Sequence, residues 1–96
     1  MKWFLVSQKV NNDYDTFDSF VVAAVDAEQA RNFVPDLKPW DLKEGELWEA
    51  EEFDSVDDWT FSMWTRDKSK IEARELGVCS SYTPAGTIAI ASFNAG

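Results

Sequence analysis

The sequence predicts a small α+β protein: an antiparallel sheet of about four strands, ordered β-β-α-(α)-β-β along the chain, with one or two helices packed on one face. Three observations carry that expectation. Apolar runs rich in strand-forming residues lie near both ends of the chain, as WFLV (3–6), SFVVAAV (19–25) and TIAIASF (87–93). A short segment with helix-start chemistry, DAEQARNF, follows the second run. Clusters of Asn, Asp, Ser, Gly and Pro separate these pieces, as turns require.

Taken in order, residues 2–9 open with a run that is apolar on both faces, which suits a central strand. VNNDYDTFD (10–18) is dense in turn formers, so the second strand at 19–25 pairs with the first across a long polar loop. Asp26 and Gln29 have capping-box spacing and open a helix at about 27–33. Ala27, Ala30, Phe33 and Val34 mark its apolar face, and Pro35 ends it. So short a helix is unstable alone and must pack on the sheet.

The middle admits two periods. ELWEA (46–50) suits either a helical turn or an edge strand. Ser55 and Asp58 have capping-box spacing, and Val56, Trp59, Met63 and Trp64 form a helical stripe, so a helix is expected here. Trp59, Phe61 and Met63 also alternate as a strand would. Farther on, KIEAREL (70–76) alternates Ile71 and Ala73 inward against charges. Residues 80–86 read as a loop, and 87–93 as a strand with Ile88 and Ile90 on one face and small residues opposite.

The 96 residues form one domain (1–96), within which 36–65 is an insertion-like acidic-aromatic segment. Histidine is absent and Cys79 is the only cysteine. No intramolecular disulfide can form, and neither Cys79 nor any serine has an imidazole to activate it. No cofactor and no metal centre are expected. The N-terminal apolar run is too short for a signal peptide or a membrane span, so a cytoplasmic location is expected.

Net charge is −9, unevenly spread: residues 36–58 hold ten acids against two lysines. Such a surface repels phosphates, so direct nucleic-acid or membrane binding is not expected, and a basic partner protein is. ELWEAEEFDSVDDWTFSMW (46–64) concentrates this character, with seven carboxylates, five aromatics and no base. One reading is an aromatic core stripe backed by a solvated acidic face. The other is a contact surface. Glu46, Glu49, Glu51, Glu52, Asp54, Asp57 and Asp58 would stand in for phosphates, and Trp48 or Trp59 would anchor the partner.

Other constellations are weaker. Asn11, Asp13 and Asp15 imitate the first ligands of an EF-hand loop, but Thr16 stands where glycine is needed and Val22 where a bidentate glutamate is needed. Paired carboxylates across a cleft are not indicated by acids this crowded, so an enzyme is not expected. Tyr14, Asp15, Asp18 and Asn94 would form an alternative ligand site if strand ends bring them together.

Several motifs resemble a group of small bacteriophage proteins: FLVSQ at the first strand, NNDYDTFDS in the turn, the EQAR helix and the terminal ASFNAG. The likeness covers 4–31 and 91–96 well and KIEARELG loosely, and it fades from 32 to about 65. It implies phage origin and a shared scaffold, and no reaction. In that context the expected function is a non-enzymatic, anti-CRISPR-like inhibitor that occupies the basic nucleic-acid-binding surface of a host protein. The alternatives are a sponge for a nucleotide messenger and a virion or assembly component. The sequence leaves the oligomeric state open.

Overall fold

A computed structural model describes residues 1–10, 16–35, 49–56, 63–80 and 82–94. Its frame is a four-stranded antiparallel sheet built from β1 (Lys2–Ser7), β2 (Thr16–Ala24), β5 (Glu72–Val78) and β6 (Ile88–Asn94) in the order β5-β1-β2-β6. β3 (Phe33–Val34) and β4 (Glu51–Glu52) form a second, two-stranded sheet. With one α-helix among the described residues, α1 (Ala27–Arg31), the architecture is α+β as expected. β1 is central. Its Phe4 and Val6 are buried while Trp3 and Leu5 are half-buried, so its two apolar faces are unequally covered.

The covered face carries the core: Phe4, Val6, Phe20, Val22 and Ile88 from the sheet, packed with Ala30, Phe33, Val34, Met63 and Trp64. Trp64 is fully buried and meets Phe20 edge-on, with ring centroids 5.3 Å apart, a geometry the aromatic quadrupole favours. β2 begins at Thr16, three residues before the expected start. Its early part is tied down by Gln8, a buried side chain whose Nε2 donates to the Phe17 carbonyl at 2.8 Å and whose Oε1 accepts from Val10 N–H.

The expected cap of α1 is present. Asp26 Oδ1 accepts from Gln29 N–H at 2.8 Å, and Gln29 Oε1 reaches back to Val25 N–H, one residue beyond the capping-box position. The helix is shorter than expected. It closes at Asn32, and Phe33 and Val34 become β3 because Pro35 steers its predecessor toward extended backbone. Of the expected apolar face only Ala30 is a buried helical residue, whereas Ala27 is exposed. Arg31 pins the helix end to the approach of β5: Nε donates to the Ile71 carbonyl at 3.0 Å and Nη2 to that of Lys68.

The expected helix at 55–64 is overturned at its start. Phe53–Ser55 is a single 3₁₀ turn, and Val56 is extended at φ −92°, ψ 153°, so Ser55 caps nothing helical. Trp59 and Phe61 lie outside the described residues, and Met63 and Trp64 enter the core from a turn. Val56, Met63 and Trp64 all pack with the core, so shared burial accounts for the apolar character of these positions.

One face assignment also changes. Ile88 pairs with Val22 and Ile90 with Val21, so β6 has a bulge at Ala89. An extra residue reverses the alternation beyond it. Ile88 is 5% exposed and Ile90 65%, while Ala91 turns to the core in place of Ile90. The helix lies on the covered face, whereas Ala89 is exposed.

Candidate functional site

Within the acidic segment, Glu51 and Glu52 are held as a strand. β4 pairs with β3 through Phe33↔Glu52 and Val34↔Glu51, and Glu49 bridges Thr87. Ala50 N–H donates to the Gly86 carbonyl and Phe53 N–H to the Asn32 carbonyl, both at 2.7 Å. These bonds seat residues 49–53 between β3 and the start of β6. Gly86 is required at this junction. Its φ is +92°, and a Cβ there would meet the Phe33 ring at 3.2 Å.

Glu49, Glu52 and Asp54 are exposed and Glu51 is half-buried. In an extended strand neighbouring side chains point to opposite sides, so Glu51 and Glu52 do not share a face. Lys2 pairs with Glu75 at 2.7 Å and Arg31 with Glu28 at 3.8 Å, and among the described residues neither pair involves Glu49, Glu52 or Asp54. Half-buried Phe53 packs against the core, and Lys68 Nζ stands 4.5 Å above its ring while donating to Asn32 Oδ1. A cation therefore backs the segment, which its acidity alone did not signal. Glu46, Trp48, Asp57, Asp58 and Trp59 lie outside the described residues.

The alternative site is brought together in part. Thr16 pairs with Asn94 and Phe17 with Phe93, while Asp18, half-buried, is the extra residue of a bulge in β2. The turn therefore re-enters the sheet beside the end of β6. Tyr14 and Asp15 lie outside the described residues, as do Asn11 and Asp13 of the calcium-like pattern.

The structure adds a hollow that no local motif marked. Ser7, Gln8, Lys9, Val10, Ser69, Lys70 and Glu72 line about 450 Å³ at one end of the sheet. Lys9 and Lys70 are far apart in sequence, and the pairing Ser7↔Glu72 joins their segments. Beside it, Asp67 caps the 3₁₀ turn Lys68–Lys70 by accepting from Ser69 N–H and Oγ–H. The Ser69 hydroxyl bond is the main reason its carboxyl titrates below the ordinary aspartate range. Arg31 and Arg74 line a neighbouring hollow with Leu5, Ser7, Ile71, Glu72 and Ala73.

Among the described residues no helix is long and apolar enough to cross a membrane. Comparison with protein-family models, with curated proteins and with solved structures returns no match.

Proposed function

We propose that this protein is a non-enzymatic, phage-encoded inhibitor that works in the host cytoplasm. Its acidic segment occupies a basic, nucleic-acid-binding surface of a host protein, such as a CRISPR effector or another defence nuclease. The observation that carries the reading is the state of Glu49, Glu52 and Asp54. They are exposed on a backbone-anchored segment and enter no ion pair among the described residues. Leaving carboxylates uncompensated costs stability through self-repulsion, a cost that electrostatic attraction to a cationic partner offsets. Anchoring by β3 and Thr87 lowers the ordering cost of binding. The likeness to bacteriophage proteins supplies the biological setting.

The test is capture of host proteins from infected cells on immobilised wild-type chain and on Glu51→Lys/Asp54→Lys. A nucleic-acid-binding protein retained at low salt, released by added salt and lost with the double reversal is the expected result. Retention indifferent to both would refute the reading.

The hollow lined by Lys9 and Lys70 favours a second reading, a sponge for an anionic small molecule such as a nucleotide messenger. Thermal-shift screening separates the two, because a ligand at 100 times its dissociation constant adds about 2.7 kcal/mol of stability.

A further inference from the structure

The pairing that seats the acidic segment is short. β3 and β4 meet through Phe33↔Glu52 and Val34↔Glu51, and a two-stranded pair is marginal in water without further support. One support is a closed triangle of side chains and backbone. Phe53 N–H donates to the Asn32 carbonyl at 2.7 Å, Lys68 Nζ donates to Asn32 Oδ1, and the same Nζ stands 4.5 Å from the centroid of the Phe53 ring. Phe53 is thus gripped by its backbone and its ring together. Both grips are themselves fixed. Asn32 closes α1, and its Nδ2 donates to the Glu28 carbonyl at 3.0 Å. Lys68 lies in the turn that Asp67 caps, and its carbonyl accepts from Arg31 Nη2.

Glu52 and Asp54 stand on either side of Phe53 in the chain, so holding Phe53 fixes both. Yet the Lys68 ammonium bonds a neutral amide and, among the described residues, pairs with neither carboxylate. The segment is held without its charge being neutralised. We propose that Lys68 and Asn32 are positioning residues for the acidic segment, keeping Glu52 and Asp54 in place for a cationic partner while leaving both charges available to it. This rests on the reading of that segment as a contact surface for a basic protein. A segment ordered beforehand loses less freedom on binding, so loosening it weakens association even when every carboxylate is retained. The sign of the effect separates positioning from charge. Lys68→Met keeps an unbranched apolar stem beside Phe53 and removes a positive charge, which by itself strengthens attraction for a cation. Positioning requires the opposite.

Fluorescence anisotropy with a short polyarginine peptide, at about 0.1 M salt, tests this on the full chain, with amide exchange read on the same proteins. Lys68→Met and Asn32→Ala should each weaken peptide binding at least about threefold and speed exchange at Phe53 by a similar factor. Amides of β1 and β2 should keep their protection. The double variant should match Asn32→Ala, because the two residues act through one contact. Lys68→Arg, which retains a cation for the ring and a donor for Asn32, should restore both readouts. Binding by Lys68→Met that equals or exceeds the wild type overturns the proposal and leaves the acidic contact surface standing. So does Phe53 exchange unchanged in both variants, or protection lost across β1 and β2 as well. A wild type that binds the peptide no more tightly than Glu51→Lys/Asp54→Lys refutes the contact surface itself, and the positioning role falls with it.

Discussion

Ile88 and Ile90 are the same residue type, two positions apart on one strand, yet one is 5% exposed and the other 65%. Ile88 sits on the face that α1, β3 and Trp64 cover, and Ile90 on the face where Leu5 and Val21 remain half-buried. A sheet with one helical layer has a single core side, so identical side chains there and opposite differ in energetic weight. The bulge at Ala89 decides which isoleucine receives the cover. Burial, rather than residue type or strand position, sets what each contributes.

The strongest way to break this comparison is to truncate both residues. Ile88→Ala should cost about 2–5 kcal/mol in urea denaturation, from lost transfer energy and the cavity left behind. Ile90→Ala should stay within about 0.5 kcal/mol. Equal costs would mean the two faces are equally covered.

A smaller effect probes the cover itself. Asp26→Ala removes the acceptor for Gln29 N–H and should cost about 0.5–2 kcal/mol. Amide exchange should then rise in α1 and in the strands beneath it while β6 keeps its protection. An effect spread evenly over the molecule would argue against α1 as a distinct lid on one face.

The smallest effect concerns the anchor of that lid. Arg31 bonds the carbonyl of Lys68 in the turn that Asp67 caps, so the state of Asp67 bears on how the helix end is held. Its folded pKa lies below the unfolded value of about 3.9. The capping contribution is therefore fully present above the unfolded pKa and is lost as pH falls through the lower folded value. NMR titration should show an Asp67 midpoint below ordinary aspartate, and Ser69→Ala should return it upward. A midpoint unchanged by Ser69→Ala would remove the hydroxyl bond as its cause.

Local chemistry made much of the frame legible. The uncharged apolar runs are strands, and Asp26 with Gln29 starts a helix where expected. Failures came where the signal was not local. Phe33 and Val34 fit a helical face by spacing, but their pairing with Glu52 and Glu51 draws them into a strand. Val56, Met63 and Trp64 fit a helical stripe because all three pack with the core. At the candidate site, the composition of 46–58 exposed its acids. Lys68 behind Phe53 and the meeting of Lys9 with Lys70 depend on chain segments brought together from a distance.

By itself, then, the amino-acid order determined which segments extend, where the helix is capped, where negative charge accumulates, and that imidazole chemistry is absent. Tertiary structure alone decided which side of β6 is core and that residues 49–52 lie between β3 and Thr87. The reason is physical. Propensity and capping act within a few residues, whereas a bulge, a strand neighbour and an edge exist only relative to a partner strand far away in the chain.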